Sequence, residues 1–220
     1  MIIQCIAHAK FLIELESGYR IVTDPYDAST GYPVTPLRAD AVLVSHGHHD
    51  HSAAETVDGW SVKVDQPGAR TLAPGVTVEG FPCFHDDAHG SKRGGNLIFV
   101  LRAEGLRVAH LGDLGHLPDP ALVNAIGPVD VAMVPVGGYF TIDAAQALKV
   151  CQLLKVRVVL PMHYRTAVNA SWPIAPLEDF TRLLPRAPET LNLLRVTKGD
   201  LDCQPDAAVL YPQACGRADA

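Results

Sequence analysis

Residues 45 to 51 read Ser-His-Gly-His-His-Asp-His, and His46, His48, Asp50 and His51 within them form the pattern H-x-H-x-D-H. Neutral imidazoles and carboxylate oxygens together suit borderline divalent cations, Zn²⁺ first, with Mn²⁺ and Fe²⁺ next. The segment follows directly on the apolar run Ala41-Val42-Leu43-Val44. Three histidines and an aspartate there are costly to bury without a partner, and a metal ion is such a partner. His46 and His48 sit two apart, so on an extended strand end they face one side and can hold one ion. Asp50 and His51 follow after a turn and reach toward a second ion. The plain alternative is a histidine-rich surface turn.

Each ion needs further ligands, and the surrounding elements must deliver them. Five apolar runs end abruptly in polar or ionisable residues. Ile21-Val22-Thr23 ends at Asp24, 41–44 at Ser45-His46, the run to Phe84 at His85, 108–112 at Asp113, and 158–162 at His163. Buried strands that present chemistry from their ends are how open α/β architectures build a site. The five endings therefore predict one shared edge, with His85, Asp113 and His163 as further ligand candidates. Asp113 has two carboxylate oxygens and can bridge two ions, which a neutral histidine cannot.

The positioning elements are mostly strands. Residues 11–15 and 20–23 read as a hairpin-like pair with a glycine turn, and 76–84 and 96–102 as two more strands. A short helix is expected from Asp119-Pro120 to the residue before Gly127, with aspartate as cap, proline in the first turn and glycine past the end. The longest helix is expected over 143–155, with Thr141 or Asp143 as cap. A third is expected over 176–184, with Glu178 and Asp179 where the helix dipole favours them. No low-complexity linker divides the chain, so a single domain over 1–220 is expected, with residues 211–220 frayed.

Composition narrows the partners. Hydrophobic residues make up 48% of the 220-residue chain and charged ones 19%, which fits a folded globule with a sizeable core. A net charge of -6 lacks the basic stripe of a nucleic-acid surface, and Lys92-Arg93 alone is too little for a polynucleotide track. No run approaches about 18 apolar residues, so no membrane span is expected. The five cysteines are scattered, odd in number and without C-x-x-C spacing, which favours free thiols in a reducing compartment. With no secretory pattern at the N-terminus, a cytoplasmic location is the expectation.

Asp24, the 46–51 motif, His85, Asp113 and His163 together resemble the metallo-β-lactamase superfamily in order, spacing and strand-end placement, over nearly the whole chain. Ala7-His8-Ala9-Lys10-Phe11-Leu12-Ile13, Phe84-His85-Asp86-Asp87 with Gly90, and Arg93-Gly94-Gly95-Asn96 narrow the resemblance. So do His110-Leu111-Gly112-Asp113-Leu114-Gly115-His116 and Pro135-Val136-Gly137-Gly138. These stretches are similar to the short bacterial branch of zinc-dependent hydrolases of the β-lactamase fold that includes ascorbate-6-phosphate lactonase.

The resemblance implies an α/β fold, a four-layer αββα sandwich. It implies two divalent ions, one on His46, His48 and His85, the other on Asp50, His51 and His163, with Asp113 bridging and Asp24 supporting ligands by hydrogen bonds. The implied enzyme is a metallo-hydrolase in which a hydroxide between the metals attacks an ester, lactone, amide or phosphoester of a small molecule, with Asp50, Asp113 and His116 in catalysis. No cysteine stands at the position of Asp113, which counts against antibiotic hydrolysis. Neither the inserted nuclease domain of RNA-processing relatives nor the flavodoxin domain of diiron oxygen reductases is expected.

Several residues carry two readings. His89 competes with His85, although His85 directly follows the strand run; His89 is otherwise a pocket or loop residue. His116 either protonates a leaving group or lies on the surface. His110 reads as a core histidine donating to a backbone carbonyl. His8 is a core residue or pocket lining, and Asn96 supports the site. Lys92 and Arg93 either bind an anionic substrate group or lie in solvated loop, with Arg93 also able to pair with Asp86 or Asp87. Tyr139 and Tyr164 flank the site segments as pocket-wall candidates. Two functional alternatives stand beside hydrolysis: a mononuclear iron enzyme acting on thiol or sulfur substrates, and a metal-binding module without turnover.

Overall fold

Runs of β-branched and aromatic residues, punctuated by glycine and proline, make this chain mostly strand. A computed structural model of the chain describes residues 1–185, 189–191, 193–203 and 210–212. The first third supplies β1 (Ile2–Ala7), β2 (Lys10–Glu14), β3 (Arg20–Thr23), β4 (Leu37–Arg38), β5 (Ala41–Leu43), β6 (Val57–Asp58) and β7 (Val62–Val64). Then come β8 (Gly68–Ala73), β9 (Val76–Phe84), β10 (Gly95–Ala103), β11 (Leu106–His110), α1 (Pro120–Ile126) and β12 (Val131–Pro135). The chain continues through α2 (Ala144–Leu153), β13 (Val158–Met162), α3 (Leu177–Thr181), β14 (Glu189–Leu191), β15 (Leu194–Arg195), α4 (Lys198–Cys203) and β16 (Leu210–Pro212).

Two six-stranded sheets result, ordered β15-β1-β2-β3-β5-β7 and β13-β12-β11-β10-β9-β8. Their pairings are antiparallel except for β3-β5-β7 and β11-β12-β13, which run parallel. Alternation along β10 shows how the layers form. Leu97, Phe99 and Leu101 enter the core between the sheets, where they meet Phe11, Ile13, Ile21 and Leu43. Ile98 and Val100 point the other way, into a second core with Ile126, Ala147, Val150 and Phe180 from α1, α2 and α3. A strand buried on both faces reads as a continuous apolar run, and β10 does. Over the outer face of the first sheet the cover is thinner: a 3₁₀ turn at Ala54–Thr56 and the β4–β6 pair protect Leu12, Val22 and Val42.

The caps follow their residues. Asp119 accepts from the Leu122 N–H with Pro120 at the first turn, and Gly127 takes φ 69° beyond the helix end. Asp143, rather than Thr141, caps α2 in a reciprocal box with Gln146. The third helix is shorter than expected, Leu177–Thr181, with Pro176 at its N-terminus making no side-chain cap. Leu210–Pro212 pairs with β14 at the start of the expected frayed tail, and 213–220 lie outside the described residues.

Cys83 and Cys151 are buried free thiols and Cys203 an exposed one. No described helix is long and apolar enough to cross a membrane.

The strands β3, β5, β9, β11 and β13 all finish at one edge. A hydrogen bond of 2.9 Å from Leu97 N–H to the Ser45 carbonyl ties the two sheets there. All five ionisable endings foreseen from the sequence therefore meet.

Candidate metal centre

At that edge, side chains far apart in sequence come together. Asp113 is buried and central: one oxygen, Oδ2, lies 3.1 Å from His85 Nε2, 3.2 Å from His163 Nε2 and 4.0 Å from His46 Nε2. The other, Oδ1, lies 3.3 Å from His51 Nε2. Around it, His46, His48 and His85 form one group whose ligand atoms lie within 4.8 Å of one another, and His8, Asp50, His51 and His163 form another. The first three and the last three are the two sets implied by family resemblance, and His8 is an addition.

Asp24 sets the chemistry of both groups through hydrogen bonds. It accepts from the Ser45 N–H at 2.7 Å, the Ser45 hydroxyl at 2.6 Å and His51 Nδ1 at 2.8 Å. A carboxylate only accepts, so the His51 proton sits on Nδ1 and a neutral ring presents a bare lone pair at Nε2. The Ser45 hydroxyl has spent its proton on Asp24, so its oxygen accepts from His46 Nδ1 at 2.9 Å, which bares His46 Nε2 as well. One aspartate thus fixes the tautomer of an imidazole in each group.

The result is a pocket rich in acceptors, in which the bare His46 Nε2 meets His48 Nδ1 at 3.1 Å. His51 Nε2 and Asp113 Oδ1 are buried, face each other at 3.3 Å and have no hydrogen-bond partner. Only a cation or a proton relieves two opposed lone pairs. Burial would lower the His51 pKa, but Asp113 and Asp24 outweigh it and raise it well above the ordinary value. Burial would raise the Asp113 pKa, but His163 and His51 hold it well below the usual carboxylate range. His46 is pushed down to about 3 by burial and by His51, so its ring is neutral at physiological pH. This donor set, imidazoles plus carboxylates with matched acceptor atoms, fits divalent cations of the Zn²⁺ type.

Supporting residues lie close by. Asn96 accepts the Asp113 N–H at 2.9 Å through Oδ1 and donates to the Leu111 carbonyl at 2.9 Å. Gly112, at φ 53°, admits this crossing because a Cβ there would collide with Asn96 Oδ1 and lie 2.6 Å from Ser45 Cβ. His8 is buried with Nε2 at 3.2 Å from Asp50 Oδ2, so it orients a member of the second group. His110 donates Nε2 to the Ala9 carbonyl at 2.9 Å, as a core histidine does. His8, Asp24 and His163 all adopt positive φ (56°, 39° and 54°), a cluster of strained non-glycine residues of the kind that marks functional sites.

Two expected residues are not brought in. His116 accepts from the Phe84 N–H at Nε2 (3.2 Å) and meets the Leu117 carbonyl at Nδ1 (2.9 Å). Both its nitrogens meet backbone groups, and its ring is not among those gathered around Asp113. His89 is exposed, with its ring edge against Phe84 at 5.5 Å, and contributes nothing to the cluster. Arg93 pairs with neither Asp86 nor Asp87 through its side chain. Asp86 instead accepts four backbone N–H groups (Ala88, Gly90, Lys92 and Arg93), and Asp87 takes Lys92 Nζ at 2.7 Å. Tyr164 is buried in the outer core, whereas Tyr139 is exposed beside Arg93.

A cavity of about 490 Å³ opens over the cluster, with Asp50, His85, Asp113 and His163 in its floor and Arg93, Phe140 and Trp172 among its walls. The sequence pointed to Arg93 but not to the two aromatic walls. The one available signal for Trp172 was an aromatic in a proline-flanked loop following a ligand-bearing strand end.

Comparison with known proteins agrees with this geometry. Residues 2–163 match the β-lactamase superfamily domain. Over 222 aligned positions the chain is 31% identical to a metal-dependent hydrolase of Thermococcus onnurineus, covering 87% of this chain and 95% of that one. It is 33% identical to a counterpart from Carboxydothermus hydrogenoformans, covering 87% and 97%. A crystal structure from Thermotoga maritima, assigned to the metallo-β-lactamase superfamily, superposes with a TM-score of 0.78 at 35% identity, covering 96% of this chain and 98% of that one. A metallo hydrolase from Ignicoccus hospitalis shares the fold at 20% identity, with a TM-score of 0.68 and coverage of 98% and 96%. With the α/β sandwich, the convergent strand ends and these relatives in agreement, the chain belongs to the metallo-β-lactamase superfamily, within its UPF0173 metal-dependent hydrolases.

Proposed function

We propose that the cluster holds two divalent cations, one on His46, His48 and His85 and the other on Asp50, His51 and His163, with Asp113 shared, and that the protein hydrolyses an ester, lactone, amide or phosphoester bond of a small molecule. The observation that carries this reading is the position of Asp113, whose two oxygens each approach imidazoles of both groups or of the second alone at 3.1–4.0 Å. Such a pair of ions supplies a nucleophilic water acidified from about 15.7 to near 7, together with polarisation of the reacting oxygen. Zn²⁺ suits the donors best, with Mn²⁺ or Fe²⁺ as substitutes.

The chain's own groups do the rest. Asp24 and Ser45 keep the Nε2 atoms of His51 and His46 unprotonated and aimed inward. Asn96 holds the backbone of Asp113 in place. Asp50 lies on the cavity floor with Oδ2 bonded to His8, which orients it as a member of the second group. Phe140 and Trp172 line the cavity above this floor.

The test is Asp113→Ala, assayed by elemental analysis and by a panel of lactones, phosphodiesters, thioesters and β-lactams with Zn²⁺ and Mn²⁺. Occupancy of both ions should fall and turnover should vanish. Turnover at the parent rate would remove Asp113 from its shared role. One redox-active iron per chain in the parent would instead favour the mononuclear alternative, and two bound ions without turnover on any substrate would favour a binding module.

A further inference from the structure

Among the described residues Arg93 is a cation with no anion. Its guanidinium makes no ion pair or side-chain hydrogen bond among the described residues, and it stands on the wall of the cavity above Asp113. Its carboxylate neighbours are already engaged. Asp86 is consumed by four backbone N–H groups of its own loop and Asp87 by Lys92. What holds the guanidinium is aromatic: it lies 5.5 Å from the ring centre of Phe140 and 5.9 Å from that of Tyr139. Cation–π contact of this kind leaves its five N–H donors free.

The loop that presents it is built to be rigid. Asp86 is itself buried and ties residues 88–93 together. Gly115 packs so tightly under this loop that a Cβ would collide with the backbone of His85 and Asp86. An unpaired planar fork on a cavity wall is the arrangement that recognises carboxylate or phosphate. Phe140 and Trp172 give the same cavity an apolar surface for the part of a ligand between that anion and the reacting bond.

We propose that Arg93 is the anion-binding residue of this pocket, and that the substrate is a small molecule bearing a carboxylate or phosphate remote from the scissile bond, with an apolar body lying against Phe140 and Trp172. The inference rests on the hydrolytic reading of the metal cluster, and its test needs no turnover. Zinc-loaded protein is titrated calorimetrically with para-substituted benzoates whose second end is a carboxylate, a phosphonate or a neutral methyl ester, and with the corresponding longer biphenyls. The benzoate end is common to every arm, and comparison of the parent with Arg93→Gln separates the contribution of Arg93 from attraction of the second end to the metal ions.

At one of the two lengths, an anionic second end should bind at least about tenfold tighter than the methyl ester, equivalent to about 1.4 kcal/mol. Arg93→Gln should erase that preference with an unchanged melting temperature, while Lys92→Gln, altering the exposed lysine paired with Asp87, should keep it. Trp172→Ala should weaken all three arms alike. The arm that loses most affinity in Arg93→Gln names the anion. No preference at either length, or a preference surviving in Arg93→Gln, overturns the proposal. A retained preference in a protein that hydrolyses nothing would strike the reaction and leave the Arg93 site standing.

Discussion

Replacing Asp24 by asparagine probes the reasoning behind the metal centre without touching a residue assigned as a ligand. Asp24 Oδ2 accepts two protons, from the Ser45 hydroxyl and from His51 Nδ1, at 2.6 and 2.8 Å, and Oδ1 accepts the Ser45 N–H at 2.7 Å. In Asp24→Asn one of these positions becomes an N–H₂ donor. If it replaces Oδ2, His51 must move its proton to Nε2, and the serine must turn its hydroxyl toward His46. If the amide flips, the donor meets the Ser45 N–H head on.

Either outcome disturbs bonds to a buried charge worth about 1.5–3 kcal/mol apiece, partly offset because a neutral amide is cheaper to bury. Loss of an outer hydrogen-bonding partner costs roughly 10–100-fold in metal affinity, which is about 1.4–2.7 kcal/mol. Competition against a chromophoric chelator measures this for both ions, since Asp24 controls one imidazole in each group. Ser45→Ala, which spares His51, should weaken the His46 group more than the other. Affinities in Asp24→Asn within twofold of the parent would refute the tautomer argument.

Other outcomes follow from the same geometry. His116→Gln should keep kcat within about threefold, because glutamine can still accept the Phe84 N–H; a true proton donor would cost roughly 10²–10⁴. Gly112→Ala should destabilise by about 2–4 kcal/mol in urea titrations, combining collision with Asn96 and Ser45 and a left-handed backbone. Thiol alkylation at pH 8 in the native state should label Cys203 but spare Cys83 and Cys151. Burial raises both of these thiols to about 12, so the reactive thiolate is absent, and labelling should begin only on unfolding.

The ligand candidates were legible because their signal is local. Each follows an apolar run, and a run long enough to be a strand must end somewhere near the sheet edge. The helix caps at Asp119 and Asp143 were legible for the same reason, since a cap bonds backbone within three residues of itself. His110 as a core donor also followed from its place inside a strand.

Contacts between distant segments were decided only by the tertiary structure. Spacing alone left His116 free to be an acid, whereas the fold lays it against Phe84, 32 residues away, and occupies both nitrogens. Asp86 looked like a partner for Arg93, but its loop curls so that four N–H groups converge on it, and the guanidinium passes to Phe140 and Tyr139. Trp172 reaches the cavity from a loop whose path no periodicity describes. Residue types and strand endings specify which chemistry can exist, because they depend on neighbours along the chain. Which lone pairs are bare, and which cation is unpaired, depends on neighbours across space, and those exist only once the two sheets have closed.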